Sequence, residues 1–351
     1  MAKIVILGAG VMGSAMSLPA SAKGHSVDLV GTFLDTDSVR SVQGNGLHPR
    51  LGITLPETVA AYEWTDFGNR LDDETALIIL GVSSAGVTWA IEQLAGALTR
   101  PIPVLMITKG LSPENGKIEV FPSIVARELE ARLGFHVPVL AVGGPCIAGE
   151  LAAGRDTGVV ITGHDAALVE DIIALVDAPF YHARASGDVV GVEVCAAFKN
   201  FFALGVGWAT GHLEKTGRTT NGAQMHNLSA SLFAQSLREM SLLSAAFGGT
   251  QASVDGLPGV GDLYVTCLAG RNSRMGRLLG LGLSYPEAKA GHMAEDTVEG
   301  AELALAVGPT LEAMWADGRL PLAKMPMSRA IIDAVCHAKP MTIDWREFHR
   351  R

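Results

Sequence analysis

The sequence has few cysteines and no excess of positive charge, and each shortage excludes a class of protein. Its four cysteines, at positions 146, 195, 267 and 336, show no Cys-x-x-Cys spacing. Neither a disulfide framework nor a zinc site is therefore indicated. The formal net charge is −9 at pH 7, whereas nucleic-acid binders need a concentrated basic surface. We expect no nucleic-acid partner and a reducing, cytoplasmic location.

Signals for membranes and metals are scarce as well. The N-terminus lacks the basic stretch and uninterrupted apolar core of a secretory signal. Between Val194 and Leu213 the only formally charged residue is Lys199, and a membrane span does not keep an interior lysine without a reason. The ten histidines show no metal-ligand spacing. We interpret the apolar segment as a core helix and expect neither a membrane partner nor a metal.

The stretch GAGVMG near the N-terminus predicts a dinucleotide pocket. It follows a buried strand at positions 3–7 and precedes a helix at 14–23 and a second strand at 25–30, as the fingerprint requires. Gly8 permits the turn, Gly10 lets the backbone approach a pyrophosphate, and Gly13 lets the helix pack on the strand. With Val11 and Met12 between them, these glycines form the predicted cofactor loop.

The choice between NAD and NADP stays open at this point. A carboxylate that binds the ribose 2′-hydroxyl is expected about 20 residues after the loop. Asp35 and Asp37 lie slightly late for that role, and no arginine stands at positions 31–35 to bind a 2′-phosphate.

The chain organisation predicts two domains, since 351 residues exceed one typical domain. Strand-like runs alternate with helical stretches up to about residue 188, and after it only helices are predicted. The predicted strands lie at 75–82, 103–108, 137–143 and 158–162, and the predicted helices at 85–98, 118–133, 190–209, 228–247, 275–281, 297–307, 310–317 and 327–336. The fold class is therefore α/β: a doubly wound, Rossmann-type parallel sheet (1–188) followed by an all-α domain (189–351).

Lys199 is the strongest candidate for chemistry. Its neighbours at helical spacing are apolar, and burial of an unpaired ammonium costs several kcal/mol. Such a lysine is either an acid or base or half of a structural ion pair. Asp262, in the glycine-flanked stretch GVGDLYVTC, is a possible carboxylate partner, although it can equally be a helix-capping aspartate.

Other groups suggest an anionic ligand. Three arginines, Arg271, Arg274 and Arg277, recur at every third residue beside Asn272. A helix that begins there offers N–H groups and a guanidinium to a phosphate. The alternative is a basic helix face exposed to solvent. Lys109 follows a predicted strand, as does the turn at 143–148, and both therefore lie at the carboxyl edge of the sheet, where ligands bind.

The ordered series of motifs resembles the NAD(P)-dependent glycerol-3-phosphate dehydrogenases over nearly the whole chain. The motifs, in chain order, are GAGVMG, TKGL, GGPCIAGE, EVCAAFKN, GVGDLYVTC, GRN and TVEG. The resemblance implies interconversion of dihydroxyacetone phosphate and glycerol 3-phosphate with NAD or NADP. It also implies a role in glycerophospholipid and carbohydrate metabolism.

The resemblance assigns roles by motif position. Lys199 moves a proton at the C2 oxygen while hydride moves to or from that carbon, Asp262 orients it, and Lys109 assists. The implied substrate contacts are Lys109, Cys146, Lys199, Asp262, Thr266, Gly270, Arg271 and Asn272. The implied cofactor contacts, besides the glycine loop, are Lys109, Ala148, Arg271 and Glu299. A homodimer formed through the helical half is also expected.

Two departures from the family pattern bear on the substrate. Cys146 stands where the family usually has a serine, and Gln235 stands where it usually has an arginine ahead of a Glu-Met pair. A dehydrogenase for a longer polyol phosphate, or one for a hydroxy or keto acid such as ketopantoate, remains an alternative. A cofactor-binding sensor without turnover is the alternative from another class.

Overall fold

The computed structural model describes residues 1–114, 116–217, 220–268 and 270–348. The strands in these ranges are β1 Lys3–Leu7, β2 Ser26–Val30, β3 Leu47–His48, β4 Ile53–Thr54, β5 Val59–Tyr62, β6 Thr75–Leu80, β7 Val104–Met106, β8 Leu111–Glu114, β9 Lys117–Val120, β10 Val139–Gly143, β11 Thr157–Thr162 and β12 Tyr181–Ser186. The helices are α1 Val11–Ala15, α2 Ser17–Ala22, α3 Thr36–Asn45, α4 Phe67–Arg70, α5 Val87–Ala97, α6 Phe121–Leu133, α7 Ala148–Ala152, α8 Ala166–Val176, α9 Val189–Thr216, α10 His226–Phe247, α11 Gln251–Asp255, α12 Asp262–Leu268, α13 Arg271–Gly280, α14 Tyr285–His292, α15 Glu299–Ala316, α16 Pro326–Cys336 and α17 Trp345–Phe348.

The chain divides into two compact units. The first, here the sheet unit, comprises Met1–Lys109 and Phe121–Val189. The second, here the helical unit, comprises Gly110–Val120 and Val190–Arg351. The β8–β9 hairpin therefore groups with the helices that follow it much later in the chain.

The sheet unit contains an eight-stranded sheet in the order β12-β11-β10-β7-β6-β1-β2-β5. The chain runs outward from β1 through β2 to β5, then returns to the other side of β1 with β6. The switch point of the topology thus lies between β1 and β6, where open α/β sheets bind their ligands. The predicted doubly wound sheet is confirmed, with one antiparallel pair, β10 and β11.

Burial explains why β1 contains an unbroken apolar run. Ile4 and Ile6 pack into a core on one face of the sheet, whereas Val5 and Leu7 pack into a second core on the other face. Successive side chains of a strand point to opposite faces. A strand covered on both faces therefore needs apolar residues at every position.

The helical unit is organised by α9, which spans 28 residues. This helix is long and apolar enough to cross a membrane, but 89% of its most apolar 18-residue window is buried within the protein. Its approach to α13 relies on small residues: a methyl group at Gly211 would lie 1.8 Å from the Arg277 carbonyl oxygen, and one at Gly276 would lie 2.1 Å from the Leu204 carbonyl oxygen. These glycines allow the two backbones to touch.

Several helix predictions were wrong in their bounds. The helix predicted at 14–23 is split at Met16 into α1 and α2, because Pro19 has no N–H to bond the preceding turn. The helix predicted at 118–133 begins only at Phe121, since Ile118 lies in a strand paired with β8. The two helices predicted at 297–317 form one helix, α15, with Pro309 inside it.

Candidate active site

The glycine loop lies at the switch point of the sheet unit. Gly8 follows β1 with φ +118°, and its N–H donates to the Val30 carbonyl oxygen of β2 at 2.8 Å. A Cβ atom at Gly13 would lie 2.1 Å from the Gly8 carbonyl oxygen, whereas one at Gly10 would meet no atom within 4 Å. Gly13 is therefore needed for packing. The open space at Gly10 fits the close approach of a cofactor pyrophosphate.

This contrast predicts the behaviour of Gly10→Ala. We expect thermal stability to stay unchanged, because the methyl group meets no protein atom. We expect the dissociation constant for NADH and NADPH to rise by about 10-fold or more, because forcing a methyl group into a close-packed contact costs about 1–3 kcal/mol. Calorimetric titration measures both affinities. Gly44→Ala, also in open space, is the control, and an unchanged affinity in Gly10→Ala would contradict this placement of the pyrophosphate.

Three predicted site segments follow parallel strands of the same sheet. Lys109 follows β7, and Cys146 and Ala148 follow β10. Because β1, β6, β7 and β10 are parallel, their carboxyl ends lie along one edge. Met12, Cys146 and Ala148 also pack against the same buried cluster. The structure thus places the glycine loop and these residues on one edge of the sheet unit.

The helical unit pairs the predicted lysine and aspartate. Lys199 lies in the middle of α9, and Asp262 is the first residue of α12. The Lys199 ammonium donates a hydrogen bond to Asp262 Oδ1, and the two side chains are 12% and 1% exposed. The carboxylate offsets the cost of burying the ammonium, while the small exposed fraction leaves Lys199 accessible to a small molecule.

An amide network adjoins this pair. Asn200 Nδ2 donates to Glu299 Oε2 at 3.1 Å, and Asn200 Oδ1 accepts from Asn272 Nδ2 at 2.9 Å. Asn272 Oδ1 in turn accepts from the Gly300 N–H at 2.9 Å. Both ends of the buried Asn272 side chain are therefore engaged in joining α9, α13 and α15. If Asn272 binds a phosphate as predicted, the donors left for it are the second Nδ2 hydrogen and the backbone N–H.

The three arginines of α13 have different partners. Arg274 donates to Asp296 at 3.1 Å, and Arg277 donates twice to Glu214 at 2.6 Å. Their contacts are those of structural ion pairs at the surface. Arg271 contacts Glu299 at 3.1 Å, with both side chains about half exposed. Because such exposed pairs contribute little stability, Arg271 can exchange Glu299 for a ligand anion.

Thr266 lies in α12, and Gly270 lies between α12 and α13. The Thr266 hydroxyl donates to the Asp262 carbonyl oxygen at 2.6 Å, one turn earlier in α12. Its oxygen lone pairs remain available as acceptors. Gly270 has φ +123° and immediately precedes α13.

Gln235 takes part in the contacts between α10 and α16. Its Nε2 donates to Glu239 Oε1 at 2.8 Å, and Glu239 also accepts from the Met327 and Ser328 N–H groups and from the Ser328 hydroxyl. The departure from the family pattern at Gln235 therefore changes the surroundings of a buried carboxylate that caps α16. Burial raises the pKa of Glu239 to about 7.

The sequence pattern did not single out two groups that position the site. Asn200 follows Lys199 directly, and its place in EVCAAFKN was the available signal. His48, which contacts the glycine loop, stands in an HPR stretch that has no recognised chemistry. In the described part of the chain, no three His, Cys, Asp or Glu side chains are grouped as a metal site would need.

A doubly wound sheet with a glycine loop at its switch point, joined in sequence to a helical unit with a buried lysine–aspartate pair, defines the class of two-unit, dinucleotide-binding proteins. Two family models match the chain. The NAD-dependent glycerol-3-phosphate dehydrogenase N-terminus matches residues 3–169, and the C-terminus of the same family matches residues 188–343. The chain belongs to the NAD-dependent glycerol-3-phosphate dehydrogenase family.

Curated relatives agree with this membership. The chain is 30% identical over 285 residues to an NADP(+)-dependent glycerol-3-phosphate dehydrogenase of Archaeoglobus fulgidus, covering 81% of this chain and 82% of that protein. It is 32% identical over 292 residues to a glycerol-3-phosphate dehydrogenase [NAD(P)+] of Coxiella burnetii, covering 82% and 80%.

Solved structures agree in fold. The crystal structure of a glycerol-3-phosphate dehydrogenase from Coxiella burnetii matches with a TM-score of 0.79 and 26% identity, covering 99% of this chain and 97% of that one. A 2-dehydropantoate 2-reductase from Methylococcus capsulatus matches with a TM-score of 0.56 and 13% identity, covering 98% and 99%. The second likeness concerns the fold alone.

Proposed function

We propose that this protein is an NAD(P)-dependent glycerol-3-phosphate dehydrogenase, which interconverts dihydroxyacetone phosphate and glycerol 3-phosphate. The observation that carries the proposal is the nearly buried Lys199 ammonium on the Asp262 carboxylate, in a chain of this family. Reduction of a ketone needs an acid beside the carbonyl oxygen. The relatives are named as NADP(+)-dependent and NAD(P)+ enzymes, and either cofactor suits the glycine loop.

The residues of the chain perform the proton chemistry. The bound nicotinamide cofactor supplies or accepts the hydride at C2. In the reducing direction, Lys199 gives a proton to the C2 oxygen, and its positive charge stabilises the negative charge that develops there. In the oxidising direction, Lys199 takes the proton back from the hydroxyl group. Asp262 holds the ammonium in position and balances its charge.

Substrate binding uses the basic groups of the site. Arg271 and the N–H groups at the start of α13 bind the phosphate, with Gly270 giving the backbone its turn into the helix and Asn272 holding the helix in place. Lys109, Cys146 and Thr266 complete the substrate contacts. Lys109, Ala148, Arg271 and Glu299 contact the cofactor, together with the glycine loop.

The test is a comparison of initial rates of NADH and NADPH oxidation with several ketones. We expect rapid oxidation with dihydroxyacetone phosphate and a rate lower by about 10-fold or more with unphosphorylated dihydroxyacetone, because a charge-assisted phosphate contact is lost. Ketopantoate and a four-carbon ketose phosphate are the comparison substrates. Turnover confined to either of these would overturn the assignment, as would the absence of turnover with every ketone.

The cellular setting completes the proposal. The protein acts in the cytoplasm as a homodimer and links carbohydrate metabolism to glycerophospholipid synthesis. No disulfide joins the four cysteines, all of which lie in the described ranges, and a reducing compartment keeps cysteines in this state. Light scattering coupled to size-exclusion chromatography measures the oligomeric state, and a monomeric mass at micromolar concentration would refute the dimer.

A further inference from the structure

The end of β2 is organised differently from the usual dinucleotide site. Asp35 Oδ2 accepts three hydrogen bonds: from the Thr32 N–H at 2.9 Å, from the Thr32 hydroxyl at 2.8 Å and from the Ala9 N–H at 3.2 Å. One oxygen of this carboxylate is thus fully used in tying the turn after β2 to the glycine loop. Asp35 acts here as a brace between two backbone segments, and its negative charge is offset by the three donors.

His48 contacts the same residue, Ala9, at its carbonyl oxygen. It is completely buried, and its Nδ1 accepts from the Leu51 N–H at 3.1 Å. Because Nδ1 is an acceptor, the proton of the neutral ring lies on Nε2, which donates to the Ala9 carbonyl oxygen at 3.1 Å. The β3–β4 hairpin is therefore anchored on the glycine loop at the Ala9 carbonyl oxygen, whereas Asp35 accepts from the N–H of the same residue.

Arg50 lies in the turn of this anchored hairpin. The turn is closed by the Gly52 N–H, which donates to the His48 carbonyl oxygen at 2.9 Å. The Arg50 side chain is exposed, and no ion pair joins it to another residue in the described part of the chain. By contrast, Arg40, which is also exposed, has its Nε 3.9 Å from Glu63 Oε1. Arg50 thus has an exposed guanidinium without an ion pair among the described residues, and it follows by two residues His48, which contacts the glycine loop.

We propose that Arg50 binds the 2′-phosphate of NADP, so that NADP is the preferred cofactor; the inference rests on the proposed dehydrogenase function. A 2′-phosphate on the adenosine ribose lies beside the end of the second strand, where an arginine accommodates it in NADP-dependent proteins of this fold. No arginine follows β2 directly in positions 31–35. The hairpin supplies the guanidinium from a later segment, and a planar guanidinium matches a phosphate in two hydrogen bonds.

The test compares binding of 2′,5′-ADP and 5′-AMP, which differ only in the 2′-phosphate, by isothermal titration calorimetry. We expect the native protein to prefer 2′,5′-ADP. In Arg50→Gln we expect the affinity for 2′,5′-ADP to fall by about 10-fold or more, as for the loss of a charge-assisted hydrogen bond. The affinity for 5′-AMP should be unchanged. Arg50→Lys keeps the positive charge but lacks the planar guanidinium with its two parallel donors. We expect it to keep part of the preference for 2′,5′-ADP that Arg50→Gln loses.

Arg40→Gln is the matched control, since it removes an exposed arginine of the same unit, and it should leave both affinities unchanged. Equal binding of the two nucleotides by the native protein would overturn the proposal. So would an Arg50→Gln variant that binds both as before, or one that loses both equally. Because neither nucleotide requires turnover, an enzyme inactive toward dihydroxyacetone phosphate that retains this Arg50 dependence would refute only the proposed function.

Discussion

Replacing Lys199 with alanine is expected to lower kcat for dihydroxyacetone phosphate reduction by about 10²- to 10⁴-fold, the usual contribution of a positioned acid. The ammonium is the donor that the structure pairs with Asp262 inside the helical unit. Its loss removes both the proton for the C2 oxygen and the charge that stabilises the alkoxide. Steady-state kinetics at saturating substrate and cofactor measure the effect, and circular dichroism checks the fold.

The control for this prediction is Lys215→Ala, which removes an exposed lysine near the end of the same helix and should leave kcat unchanged. Loss of Lys199 also leaves the Asp262 carboxylate buried without this ammonium, and breaking a buried ion pair costs about 3–5 kcal/mol. A double variant, Lys199→Met with Asp262→Asn, removes that charge. If either folded Lys199 variant kept kcat within about 10-fold of the native value, Lys199 would not be the acid.

Glu239 is expected to make the protein less stable as the pH rises from about 4.5 to 7. Burial raises the pKa of this carboxyl from 4.5 to about 7 in the folded protein, although Ser328, Gln235 and Met327 donate to it and oppose the shift. In the described part of the chain no cation pairs with it; the neutral Gln235 amide contacts it at 2.8 Å. The folded protein therefore binds this proton more tightly than the unfolded chain does.

The sign and size follow from linkage. Below pH 4.5 the carboxyl is protonated in both states, so the stabilising effect is fully present there, and it is lost as the pH passes through the folded pKa. A shift of this size corresponds to roughly 3 kcal/mol of unfolding free energy. The Glu239→Gln variant does not titrate, so we expect it to lack this part of the pH dependence.

The measurement is the difference in unfolding free energy between pH 5 and pH 7.5, taken by urea denaturation for the native protein and for each variant. Subtracting this difference for Glu239→Gln from that for the native protein cancels the contributions of the other titrating groups. Glu295→Gln, at an exposed position, should keep the native pH dependence. If Glu239→Gln also kept it, the carboxyl would be ionised in the folded protein throughout this range, and its four donors would outweigh its burial.

Much of the sheet unit could be predicted from local sequence. A strand buried on both faces needs a continuous apolar run, and the turn after it needs Gly8 and Gly13, so β1 and the glycine loop are encoded within a few residues. Lys199 was predicted for a similar reason, because a single charge in a long apolar helix requires a partner or a function. The segment bounds were wrong where proline or strand pairing intervened, as at Pro19 and Ile118.

Contacts between distant residues were decided only by the tertiary structure. Asp262, 63 residues from Lys199, was one of two open interpretations in the sequence, and His48, 39 residues from Ala9, was not predicted at all, because periodicity reports only on near neighbours. The donors to Glu239 from α16 lie 88 and 89 residues away. By itself the sequence determined the central strands and most of the helices and indicated the candidate residues for chemistry, because those properties depend on near neighbours. The outer strands β5 and β12 were not predicted. Which groups pair was decided by packing, because only the folded chain excludes water from both partners at once.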